Sequence, residues 1–219
     1  MDTLHIYDKL LQFALFQGLS KNELNALVTY TKLGFHKYGK GEPIAKQQMS
    51  CNRLFFLIDG RVDVTSSSDN GSYTVTENAE APLLFEPEAL FGVSPHFTSG
   101  YTAATPCSII FIDKSEIYKL LDHFDIFRIN YLNLLSALIQ KRHVHNWHSQ
   151  NQSIAIRILD FVKCHSRFVM GEKHVDIKMT RLAQELGCSR LDISQALHQL
   201  ENQKLVVLYR GGFKTLDTK

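Results

Sequence analysis

Ser189, Arg190, Leu191, Ser194 and Gln195 form the segment of the chain whose residue types most specifically suit a chemical task. As the opening residues of the second helix of a helix-turn-helix they would face the major groove of DNA. A guanidinium at 190 carries parallel N–H donors that match O6 and N7 of guanine, and the carboxamide of Gln195 matches adenine in the same way. Arg210 and Lys214, on either side of Gly211-Gly212, suit phosphate oxygens, which position a protein without reading sequence. The competing reading is an ordinary packed helix pair with Arg190 in water.

The flanking residues supply what such a helix needs. Leu182, Ala183 and Leu186 make one apolar helical face, and Gly187 can end that helix with a positive φ. Ser189 is an N-cap with Asp192 as its acidic N3 partner, and Ile193, Ala196, Leu197 and Leu200 keep the next face apolar. Two helices joined by a short Gly-containing turn define the unit. Leu205–Tyr209 and Phe213–Leu216, joined by Arg210-Gly211-Gly212, read as a hairpin wing. Charge agrees: residues 150–219 hold 11 Lys and Arg against 7 Asp and Glu, whereas residues 1–149 hold 13 against 15. A basic C-terminal third is what phosphate contact requires.

The rest of the chain must carry and control this unit. Residues 4–33 read as short helices, with Ser20-Lys21-Asn22-Glu23 as a capping box. From residue 34 short apolar and alternating runs take over: Leu54–Ile58, Val62 and Val64, Tyr73 and Val75, Cys107–Ile112. Asp69-Asn70-Gly71 marks a tight turn between two of them. This texture predicts an antiparallel barrel or roll. Residues 115–148 read as helix, interrupted near His123. Ile129, Leu132, Ser136 and Ile139 make one seam, while Tyr131, Leu134, Leu135 and Leu138 lie on the other side. A helix apolar on two faces must bury both, and a second copy of itself is the simplest cover for the seam. The alternative is a central helix inside one larger core. The polar run 148–153 makes a hinge or an N-cap, so the expected domains are 1–122, a dimerisation helix at 123–148, and 149–219.

Gly187-Cys188-Ser189-Arg190, followed by Ile193, Ser194, Leu197, Leu200 and Glu201, resembles the winged-helix signature of the Crp/Fnr family of bacterial regulators. Leu54–Val64 with Asp59-Gly60 is similar to that family's early roll strands, and 115–148 to its dimer helix. The resemblance implies an α+β chain: an N-terminal antiparallel β-roll (a double-stranded β-helix, jelly-roll-like), a long dimerisation helix and a C-terminal winged helix-turn-helix. It implies a homodimer on a near-palindromic operator of double-stranded DNA, with RNA polymerase and an unknown small-molecule effector as further partners. The family often has Glu and Arg where this chain has Leu191 and Gln195, so the operator should differ, with Leu191 meeting a thymine methyl.

The family's nucleotide cassette joins a Phe-Gly-Glu start to a later Arg. An ungapped alignment on Phe91 and Cys107 puts Pro87 at the Glu position and Phe97 at the Arg position; starting instead at Phe91-Gly92 puts Val93 in place of Glu. Between Arg61 and Lys114 there is no Lys or Arg, and only His96 can become cationic. A buried phosphate without a charged partner loses several kcal/mol of pairing, so tight cyclic AMP or cyclic GMP binding is not expected. Phe85, Leu90, Phe91, Phe97 and Tyr101 either line a pocket for an apolar effector or fill the roll.

Neither a cofactor nor a metal is expected. The four cysteines, Cys51, Cys107, Cys164 and Cys188, are not in the close pairs of zinc or iron–sulfur sites. Cys188 would sense oxidants only if exposed and acidic. His143, His145 and His148 read as solvated side chains before a ligand set. No Gly-x-Ser-x-Gly, P-loop or paired-His motif supports an enzyme. No window approaches the roughly twenty apolar residues of a membrane span, and Met1-Asp2-Thr3-Leu4-His5 lacks a basic secretory start, so a cytoplasmic location is expected. The rival function is an effector-sensing roll that acts through protein partners, with metal or redox sensing as a lesser variant.

Overall fold

The structure, a computed structural model, describes residues 3–144 and 152–216. The described residues within Met1–Val62, Ala79–Thr98 and Thr102–Asn146 form one compact unit; those within Asp63–Asn78, Ser99–Tyr101 and Trp147–Lys219 form a second.

The first unit opens with α1 (Thr3–Leu10), a 3-10 turn at Ala14–Phe16 and α2 (Lys21–Tyr30). The expected capping box starts α2: Ser20 Oγ accepts from Glu23 N–H, and Glu23 Oε2 accepts from Ser20 N–H at 2.8 Å. The strands before residue 114, of which β4, β5 and β7 lie partly in the second unit, are β1 (Leu33–Tyr38), β2 (Pro43–Ala45), β3 (Arg53–Asp59), β4 (Arg61–Ser67), β5 (Tyr73–Glu80), β6 (Leu83–Leu84), β7 (Gly100–Ala103) and β8 (Cys107–Asp113). One antiparallel sheet has the order β1-β8-β3-β6. In it β8 pairs with β1 from Leu33↔Ile112 to Tyr38↔Cys107, and with β3 on its other side. Ile109, Ile110 and Ile112 of β8 are buried, so side chains on both faces of this central strand are covered.

Two helices follow, α3 (Lys114–His123) and α4 (Asp125–Val144), broken at Phe124 as the sequence suggests. Phe127 of α4 packs on Phe16, which packs on Phe56 of β3, with ring centroids 5.6 Å apart in each pair. Asn130 Nδ2 donates to the carbonyls of Leu15 and Gln17, satisfying a turn that has no strand or helix partner. Tyr131 is buried and donates to Pro87 O at 2.7 Å; burial pushes its phenol well above the usual range. The other face of α4 is bare: Ile129, Leu132 and Ile139 are 55%, 56% and 57% exposed, with Ser136 exposed between them.

The second unit contains α5 (Ile154–Cys164), β9 (Lys173–Ile177), α6 (Met179–Leu186), α7 (Arg190–Asn202), β10 (Val206–Tyr209) and β11 (Gly212–Thr215). Ser153 caps α5 by accepting from Ile156 N–H. The strand order here is β10-β11-β9-β5-β4. The hairpin Asp63–Asn78 thus groups with the C-terminal third, although it lies inside the span 1–122 expected to fold as one domain. The reason is a ladder: β5 pairs with β9 from Tyr73↔Ile177 to Glu77↔Lys173. Val75 then joins a core with Ile158, Val175, Leu182, Leu197 and Phe213.

That ladder ends in a buried ion pair. Lys173 Nζ lies 2.9 Å from Glu77 Oε1, with side chains 7% and 1% exposed. Glu77 also accepts the N–H groups of Arg167 and Phe168, at 2.7 and 3.0 Å, and Lys173 donates to Met170 O. A carboxylate removed from water needs this many donors to recover its lost hydration.

Candidate nucleic-acid interface

The turn between α6 and α7 is made almost wholly from its own residues. Gly187 closes α6 in the left-handed region at φ 58°, ψ 43°, and Cys188 N–H reaches back to Ala183 O at 3.0 Å. A Cβ at 187 would meet nothing within 4 Å, so glycine is favoured there by backbone conformation and not by space. Ser189 then opens α7: its Oγ accepts from Asp192 N–H, and Asp192 Oδ2 accepts from Ser189 N–H, each at 3.1 Å. From α5, the guanidinium of Arg157 donates to Leu186 O, one of the carbonyls that α6 leaves open at its end. Sequence reasoning missed Arg157; its only signal was a cation flanked by Ile156 and Ile158 in a largely apolar helix.

Ile193, Ala196, Leu197 and Leu200 are buried, which fixes the roll angle of α7 about its axis. The opposite face therefore turns outward: Ser189, Arg190 and Gln195 are exposed, Leu191 is 67% exposed, and Ser194 is half-buried. The structure thus brings all five predicted groove residues onto one end of one helix. His198, one turn beyond Ser194, extends the same face and was not foreseen; it lies 3.5 Å from Glu201.

The wing is the two-residue hairpin β10–β11, with Arg210 exposed at its tip. Gly212 is required by a close approach: a Cβ there would lie 2.1 Å from Val175 O of the neighbouring β9. Glu201 of α7 accepts Leu208 N–H at 3.2 Å, tying the helix to the wing. Tyr209 donates to Asp176 Oδ1 at 3.0 Å; burial first, then this carboxylate, pushes its phenol up to about 12. Lys214, expected at phosphate, instead lies 2.5 Å from Glu172 Oε2, half of a pair that an incoming phosphate would have to displace.

The predicted effector residues are placed differently. Phe85, Leu90, Phe97 and Tyr101 are buried, and Phe91 is half-buried against Tyr131 and under the Lys114 ammonium. Phe55 packs on both Phe85 and Phe97, with centroids 6.0 Å apart in each pair. Cys51 and Cys107 are buried, and burial raises both thiols, Cys51 to about 11, which removes thiolate chemistry at neutral pH. Cys164 is exposed and Cys188 half-buried. Among the described residues no group of three or more metal-ligating side chains gathers, and no helix is long and apolar enough to cross a membrane. His145 and His148 lie outside the described residues, as does most of the expected hinge.

Known proteins share this fold. Residues 35–124 match the cyclic nucleotide-binding domain family. The catabolite activator protein of Thermus thermophilus shares the fold at 19% identity, over 93% of this chain and 94% of that one, with a TM-score of 0.50. A putative Crp/Fnr-family transcriptional regulator from Eubacterium rectale shares it at 21% identity, over 94% and 95%, with a TM-score of 0.51. The sensor domain of the transcriptional regulator DNR from Pseudomonas aeruginosa matches 69% of this chain over all of its own length, at 18% identity and a TM-score of 0.55. Among curated protein sequences there is no match. Residues 35–124 thus resemble a cyclic nucleotide-binding domain, and the α+β fold of the chain is the one seen in Crp/Fnr-type regulators. The expected resemblance holds at the level of fold.

Proposed function

We propose that this chain is a transcription regulator of the Crp/Fnr type, a homodimer that reads a near-palindromic operator with α7 and braces itself on phosphate with the wing. The observation that carries this reading is the exposed face of α7, where Ser189, Arg190, Leu191, Ser194 and Gln195 share the helix end that enters a major groove. Arg190 reads guanine, Gln195 reads adenine, and Leu191 meets a thymine methyl. Arg210, and Lys214 once released from Glu172, contact phosphate.

The bare stripe Ile129, Leu132, Ser136 and Ile139 supports self-association through α4, because an apolar helix face left in water wants a partner of its own kind. A twofold dimer would set the two recognition helices roughly 34 Å apart, one turn of DNA. In this reading 1–122 senses, 123–148 dimerises and 149–219 binds DNA, without catalysis, cofactor or metal, in the cytoplasm. RNA polymerase and a small-molecule effector, neither of them cyclic nucleotide, complete the partner list. The absence of Lys and Arg between Arg61 and Lys114 supports that last exclusion.

Selection of bound sequences from random DNA tests the whole proposal. It should return two inverted half-sites about one helical turn apart, bound with an affinity that falls steeply with salt. Weak, salt-insensitive, sequence-blind association would overturn it in favour of a module acting through proteins.

A further inference from the structure

Glu86 is a carboxylate with no surface at all, held in a backbone conformation that suits glycine. Its side chain is fully buried, and its backbone sits at φ 33°, ψ 61°, in the left-handed region. The conformation is imposed from both sides. Before it, Phe85 N–H bonds Phe55 O at 3.0 Å; after it, Pro87–Ala89 turns as a 3-10 helix whose Ala89 N–H returns to Glu86 O. A strained residue that its surroundings over-determine is a pointer to function.

The carboxylate is received by a ready-made anion cradle. Thr98 donates to Glu86 Oε2 twice, from its N–H at 2.7 Å and from its hydroxyl at 2.8 Å. The cradle is itself held in place: Gln48 N–H donates to Phe97 O at 2.8 Å, Phe97 N–H to Met49 O at 2.9 Å, and Cys51 N–H to Pro95 O at 2.8 Å. Phe85 and Phe97, the residues just before Glu86 and Thr98, are both buried against Phe55. An oxyanion received by the N–H and hydroxyl of one threonine beside aromatic rings is the recognition chemistry of a phosphate group on an apolar ligand. It lies inside the domain that matches the cyclic nucleotide-binding family.

We propose that Glu86 is an internal ligand: its carboxylate occupies the phosphate-accepting cradle at Thr98 and closes the roll to anionic nucleotides. This rests on the reading that cyclic nucleotides do not control the chain, and supplies its cause. The missing cation removes the attraction for phosphate, and the resident carboxylate adds repulsion and fills the space. The same charge is felt nearby, where burial and the Glu86 carboxylate raise the Cys51 thiol.

Replacing Glu86 by Gly in the full chain relaxes the backbone and vacates the cradle. Calorimetric titration of Glu86→Gly with inorganic phosphate and with cyclic AMP should then show binding that the unaltered chain lacks. Adding Thr98→Val should weaken it at least about tenfold, a loss of one charge-assisted hydrogen bond. Binding of both probes marks a general phosphate cradle; binding of cyclic AMP alone marks a nucleotide pocket; either supports the proposal. A folded Glu86→Gly chain that binds neither probe overturns it and leaves the broader reading standing. Cyclic AMP binding by the unaltered chain overturns both. If Glu86→Gly is too unstable to titrate, phosphate or cyclic AMP should restore its circular dichroism, because a ligand of the folded state favours folding. Failure of both to restore it counts against the proposal equally.

Discussion

The turn at Gly187–Ser189 and the ladder of β5 on β9 support the same exposed face of α7, yet they are built on opposite scales. In the turn, each donor finds its acceptor within three to five residues, so the cap forms wherever that short sequence is placed. In the ladder, Thr74 meets Asp176 across 102 positions, and Glu77 meets Lys173 only when the ladder has formed. The first is a local code that can be altered with little effect on the fold. The second is a structural commitment whose two halves are each unfavourable alone. Specificity should reside in the turn and stability in the ladder.

The largest effect should come from the ladder. Glu77→Ala leaves the Lys173 ammonium buried without its counter-charge and takes the acceptor from Arg167 and Phe168. Urea denaturation should show a loss of about 3–5 kcal/mol. A loss below about 1 kcal/mol, the worth of a solvated surface pair, would erase the contrast.

Next in size is Arg190→Ala, which should leave the urea midpoint unchanged, since the side chain is exposed. It should cost about 1–3 kcal/mol of discrimination at one base position, read by repeating the sequence selection with the variant. Selected sites identical to those of the unaltered chain would remove Arg190 from the interface. The smallest effect belongs to Ser189→Ala, which deletes the cap and should lower stability by about 1 kcal/mol in the same denaturation assay. If it instead matched Glu77→Ala, the turn would not be the self-contained element described above.

The features legible in the sequence are those whose causes lie close together along it. Ser20 with Glu23 and Ser189 with Asp192 cap their helices as their spacing predicts. Gly71 takes φ 65° between β4 and β5, and the helical run breaks at Phe124. The seam Ile129, Leu132, Ser136 and Ile139 is the bare face of α4, read from periodicity alone. β1 and β2 were not separated from their loops, because β1 alternates weakly and β2 is three residues long.

The outward face of α7 was thus determined by sequence alone, since a glycine, a cap and an apolar stripe settle which residues turn outward. What tertiary structure decided is the platform behind it. β9 escaped detection because Lys173 occupies one of its inward positions, with Val175 and Ile177 at the others. β5 carries the matching anomaly, Glu77 at an inward position beside Val75. Each charge argues against a buried strand when its segment is read alone, and each justifies the other once they are 2.9 Å apart. Glu86 and Thr98 follow the same logic within the roll. A buried charge is a statement about a partner, and a linear sequence does not say which partner the fold will bring.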